Sequence, residues 1–394
     1  MADLQDDPYT DTTTASSTPA AAPSTPPDTA PADAVATTPG DSTPVDVVDP
    51  RVGSDERARA LLAAHPVIDG HNSLAQALRH TSPHDLELGE AALDTDIPRI
   101  RAGGVGGQFW SLVVPGQAAD QNRAISSTLE LIDLLRSLIS DCPEGLRLAL
   151  NAGDLSDARN CGRVASFLGP VAGYALGDSI GTLRGYHALG VRCVALAGAG
   201  WAADGLTRFG QEMVREMNRL GVLVDLSGTS DATMRAGLAV AKAPVLLSRS
   251  AAGALTDHPA NVADDILALL PANHGVCMVS FAPEQVVRAA GRPSVRDVAD
   301  HVEHVREVAG LECVGLSGTY GLAADSPRTA GLEDSSRYPA LIAELFDRGW
   351  DETDLAALTW GNAARVVRDV EFAARAAQQR RGPSSATMED LDGR

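Results

Sequence analysis

Eight short apolar segments recur along this chain, most of them separated by stretches long enough for a helix: Val67–Asp69, Gly107–Val114, Pro170–Ala175, Cys193–Ala197, Val222–Ser227, Val245–Ser250, Val276–Phe281 and Cys313–Ser317. Each is continuously apolar instead of alternating, the pattern of a strand covered on both faces, as in a parallel sheet. Between them run segments of helical period: Ile125–Ser140, Thr182–Leu189, Thr207–Leu220, Ser230–Ala241, Asn261–Leu270 and Val295–Ala309. Gly190, Gly221, Gly275 and Gly310 fall just past helix ends, where glycine caps a C-terminus. Strand–helix repeats in this number predict an α/β fold, a (β/α)8 TIM barrel, and 44% hydrophobic residues against 21% charged suffice for its core.

The barrel is expected over 54–372. Residues 1–50 are Thr, Ser, Pro, Ala and Asp with almost no large apolar side chains, so they cannot offset their ordering entropy and are expected to form a disordered tail. Ser54 is placed to cap a helix over Asp55–Leu62, and the amphipathic part Tyr338–Arg368 to close or flank the barrel. Residues 373–394 read as a polar C-terminal tail.

A formal net charge of −20 argues against nucleic acid and anionic membrane surfaces as partners. The five cysteines are odd in number, lack C-x-x-C spacing and read as mainly buried free thiols in a reducing compartment. With no apolar leader and no long apolar run, the expected location is cytoplasmic.

A barrel presents its chemistry where its strands end. The expected rim is His71, Trp110, Tyr174, Gly198, Gly228, Arg249, Phe281 and Thr319: one imidazole and no carboxylate. His80 and His84 fall in a loop, His187 in a helix, and His301 and His304 at i, i+3 on a helix, where solvated or capping roles are expected. Asp69, Trp110, Tyr174, Trp201 and Tyr320 are candidates to line a pocket for a peptide-like ligand, with core packing the competing role for the aromatics. Arg249 is expected to pair with Asp69, since a buried guanidinium needs a partner. Ser73 beside His71 lacks the third orienting group of a nucleophile and base.

The motif Val67-Ile68-Asp69-Gly70-His71-Asn72-Ser73, the run Ile97–Ser111, Leu189-Gly190-Val191-Arg192, Gly205–Gly210, Val224-Asp225-Leu226-Ser227, Asp257-His258-Pro259 and Gly361-Asn362 occur in one order across 56–371. Together they resemble the membrane dipeptidase (renal dipeptidase) family of zinc peptidases. The resemblance implies a barrel of the metal-dependent hydrolase type holding two zinc ions. It implies a His and an Asp after the first strand, a bridging Glu after the third, and a His after each of the fifth and sixth. Only the first His is retained, as His71; the other positions are Ser73, Val171, Gly228 and Arg249. The family's substrate-contacting His falls at Gly198, its carboxylate-binding Arg at Ala260, and its proton-handling Asp at Thr319.

A carboxylate-bridged zinc pair needs anionic oxygens and neutral imidazoles about 2.0–2.2 Å from the metals, and a guanidinium would repel it. The expectation is therefore a homologue that has lost zinc-dependent dipeptide hydrolysis, takes no cofactor and has no catalytic residues. It would bind a small peptide-like ligand or a protein partner, as a homodimer or paired with an active paralogue. The alternative is an active zinc dipeptidase.

Overall fold

The computed structural model describes residues 50–79, 86–89, 92–114, 122–287, 291–323 and 325–393. The expectation for 1–50, and the loop histidines His80 and His84, lie outside the described residues but for Pro50.

A ten-stranded, wholly parallel sheet in the order β3-β4-β2-β1-β10-β9-β8-β7-β6-β5 is the framework of the described residues. Its strands are β1 Val67–Asn72, β2 Val105–Trp110, β3 Leu146–Leu148, β4 Val164–Leu168, β5 Val171–Ala172, β6 Cys193–Ala195, β7 Leu223–Asp225, β8 Leu246–Ser250, β9 Val276–Ser280 and β10 Val314–Ser317. The (β/α)8 expectation holds, with two strands more than the repeats suggested. The expected third strand at Pro170–Ala175 is the short β5, followed by a 3-10 turn over Gly173–Leu176. Its ladder to β2 is made earlier, by β4, because Pro170 has no N–H to continue the pairing. The extra edge strand β3 carries Arg147 between two leucines, too short and polar to stand out as a strand.

Alternate positions of the strands feed two apolar layers. Ile68, Phe109, Phe167, Leu246, Val276 and Met278 form an inner cluster that also takes Val366 and Val370 from the last long helix, Asn362–Arg380. Phe109 and Phe167 stack there at 4.9 Å. Val67, Val194, Leu247, Val279 and Leu316, turned the other way, pack under the surrounding helices.

Helix starts follow capping chemistry. Thr207 and Ser230 accept the N–H of Gly210 and Thr233, and Ser294 with Asp297 forms a capping box before Val295–Ala309. Ser54 does not cap: the first helix is Pro50–Ala64, and the Ser54 hydroxyl within it donates to Asp347 at 2.6 Å. In place of the expected polar tail, residues 373–393 continue the helix to Arg380 and include a short helix, Met388–Asp392. Glu216, buried between Arg184 and Arg219, fixes this segment by accepting the Ser384 N–H. Cys142, Cys193, Cys277 and Cys313 are buried free thiols, and Cys161 is exposed. No helix among the described residues is long and apolar enough to cross a membrane.

Candidate functional site

Two aspartates build the frame of the barrel mouth by the same local device. Asp69 accepts the N–H of His71 two residues on, at 3.1 Å, and the N–H of Gly318 after β10, at 2.9 Å. Asp225 accepts the N–H of Ser227 two residues on, at 2.9 Å, and both the N–H and the hydroxyl of Ser248 on β8, at 3.0 and 2.6 Å. Ser227 Oγ in turn accepts the N–H of Arg249 at 3.1 Å. These aspartate turns lock the strand ends that carry His71, Gly228 and Arg249.

His71 is 4% exposed, and its Nε2 lies 3.2 Å from Ser73 Oγ. Burial, aided by the charge of Arg249, holds the imidazole well below its usual range, so it is neutral at pH 7. Its Nδ1 is buried without a hydrogen-bond partner. Burial raises the Asp69 carboxyl to about 6, against the two N–H donors that favour its charge. Asp69 Oδ2 and the Tyr338 hydroxyl are likewise buried without a partner at hydrogen-bonding distance.

His71, Ser73, Arg249 and Thr319, with Glu284 and Arg328, surround a cleft of about 270 Å³. Four of the eight family positions are thus brought together. Thr319 Oγ1 is occupied as a donor to Gly318 O at 2.7 Å. Val171, Gly198, Gly228 and Ala260 do not line the cleft. Val171 is fully buried in β5, and Ala260 donates its N–H to His258 Nδ1. Gly198 has φ +78°, and a Cβ there would stand 2.6 Å from Tyr174 Cδ1: the Tyr174 ring occupies that space. The Tyr174 hydroxyl donates to Val114 O, which anchors the ring. Gly228, at φ +70°, borders open space.

Two expectations for side chains are corrected. Arg249 does not pair with Asp69: it is exposed, and its guanidinium makes no hydrogen bond or ion pair among the described residues. Exposure removes the desolvation cost that would have demanded a partner. Trp110, Trp201 and Tyr320 do not form an aromatic pocket but are buried in the core, Trp201 edge-on to Phe209 and Tyr320 against Phe281 and Tyr338. Asp69 braces the rim from beneath without lining the cleft.

Three charged groups, Asp94, Arg328 and Glu284, were not singled out by the sequence. Asp94 is buried, accepts the N–H groups of Gly321 and Leu322 at 2.8 and 3.1 Å, and pairs with Arg328 Nε at 3.0 Å, fixing the segment over the cleft. Nothing in its surroundings in the sequence marks it, because Gly321, Leu322 and Arg328 lie more than two hundred residues away. Glu284, on the cleft rim, is exposed. Elsewhere, His301 Nδ1 accepts the Ala252 N–H and its Nε2 faces Val286 O, a capping role, while His304 meets Asp264 at 2.8 Å.

A family model described as membrane dipeptidase (Peptidase family M19) matches residues 55–381. Dipeptidase 3 of Mus musculus is 39% identical over 343 residues, covering 82% of this chain and 68% of its own. The probable dipeptidase PvdM from Pseudomonas aeruginosa superposes with TM-score 0.74 at 19% identity, covering 82% of this chain and 99% of its own. A metallo peptidase from Rhodobacter sphaeroides, liganded with a phosphinate mimic of the dipeptide L-Ala-D-Ala, gives TM-score 0.68 at 22% identity, covering 77% and 99%. These two structures bear on the fold alone.

The expectation of no cofactor is corrected by this kinship. Dipeptidase AC, a solved structure of the same family M19, is described as a metallo peptidase. The side chains at the positions where the resemblance placed the ligands nonetheless do not fit a zinc pair. Val171 and Gly228 offer no donor, Arg249 is cationic, and no group of three His, Cys, Asp or Glu able to hold a metal occurs among the described residues.

Proposed function

Because this chain belongs to the membrane dipeptidase family (Peptidase family M19), we propose that it uses the family's barrel to bind a small peptide-like ligand without hydrolysing it. One observation carries the reading: around the cleft, a guanidinium and a hydroxyl stand at family ligand positions, with His71 the one imidazole. Peptide hydrolysis needs an activated water and a group to move its proton. The His71 ring is neutral but engaged with Ser73, and Thr319 has no carboxylate to offer.

A small ligand is favoured over a protein partner because the polar groups converge in a concavity rather than on a flat face. A second reading, a working metallodipeptidase, draws support from the 39% identity with a protein named Dipeptidase 3. The test is incubation of the full chain, supplied with zinc, with a panel of dipeptides, followed by chromatography of the products. Intact dipeptides support the proposal; free amino acids released in proportion to enzyme refute it.

A further inference from the structure

We propose that Arg249 is the anion anchor of this mouth, and that the ligand is a monocarboxylate with an apolar tail lying along the neighbouring cleft. The inference deepens the ligand-binding reading above and rests on it.

Two observations place the charge. The Arg249 backbone is fixed by Ser227 Oγ, itself held in the Asp225 frame, so the guanidinium is presented from a rigid strand end. That guanidinium has no ion pair or side-chain hydrogen bond among the described residues, whereas the other cation of the cleft, Arg328, is held by Asp94.

The groups that face the cleft fix the sign of the ligand. Ser73, whose hydroxyl lies 3.2 Å from His71 Nε2, lines the same cleft as Arg249. A guanidinium and a hydroxyl facing one cleft make a donor pair for a carboxylate. Glu284 lies on the same rim and opposes a dianion, which selects a single negative charge.

The tail is placed by the second cleft, of about 610 Å³, which shares Ser73, Leu322 and Ser326 with the first. Ala77, Leu93 and Leu322 give it an apolar wall, and Leu322 is 41% exposed, a large aliphatic group with surface left to cover. Asp325, at that cleft, repels a carboxylate and orients the head toward Arg249.

The test is calorimetric titration of the full chain with octanoate, its uncharged amide octanamide, and butyrate. Octanoate is expected to bind about tenfold or more tightly than octanamide, the worth of a charge-assisted contact. Arg249→Gln should bring octanoate down to the octanamide level while leaving octanamide and the melting temperature unchanged, and Arg249→Lys should recover part of the loss. Leu322→Ser should weaken octanoate but not butyrate, and Glu284→Gln should bind octanoate at least as tightly as the unmodified chain. Equal binding of octanoate and octanamide, no binding of octanoate, or full octanoate affinity in Arg249→Gln would overturn the proposal. Octanoate has no peptide bond, so turnover of dipeptides would sink the non-hydrolytic reading without touching this one, and the reverse holds for failure to bind octanoate.

Discussion

At Gly198 the backbone is left-handed, and the Tyr174 ring fills the space a Cβ would need. Gly198→Ala is expected to cost about 1–3 kcal/mol in chemical denaturation, from strain and overlap together. In a Tyr174→Ala background the overlap part should vanish and the backbone part remain; an unchanged cost would place the ring elsewhere. Asp69 is a second residue with a definite signature. Its folded carboxyl keeps its proton to about 6 against 3.8 for the ordinary group, so between those values the folded state binds more protons than the unfolded one. Stability from this residue is therefore present below 3.8 and lost as pH rises to about 6. Asp69→Asn keeps the Oδ1 acceptor, so relative to it the unmodified chain should lose up to about 3 kcal/mol over that window. Parallel pH profiles of the two proteins would contradict the assignment.

Among elements, the segment over the cleft depends on one buried ion pair. Asp94 serves Gly321, Leu322 and Arg328 at once, although burial raises its own carboxyl. Asp94→Ala strands the Arg328 guanidinium and two backbone donors, and a loss of about 3–5 kcal/mol is expected. Faster hydrogen exchange at Gly321 and Leu322 would localise it; a variant as stable as the parent would show that the pair is dispensable. Strands of continuous apolarity and helices of clear period were legible from sequence, Val295–Ala309 to the residue. What escaped were β3, with a charged central residue, and β4, whose apolar run is broken by Ala165 and Ser166. The long-range braces escaped too, since a sequence shows Asp94 and Arg328 only as two surface-type residues far apart. By contrast, the aspartate turns at Asp69 and Asp225 were within reach, each two residues before the N–H it holds.

For the whole molecule, kinship and site chemistry point in different directions. The barrel and its family were readable from spaced motifs, and 39% identity to a dipeptidase-named relative agrees. The mouth itself is decided by a few side chains that kinship does not fix: Tyr174 over Gly198, and Arg249 standing out from β8. Arg249 was expected to turn inward to Asp69, and only the structure shows that Arg249 is exposed while Asp69 lies buried beneath the rim. The most direct test of the central claim is the steady-state rate of dipeptide hydrolysis as zinc is titrated into the full chain. The account expects the rate to stay at the uncatalysed background at every zinc concentration. A rate that rises and saturates with zinc, reaches a kcat of about 1 s⁻¹ or more, and disappears with a chelator would contradict it.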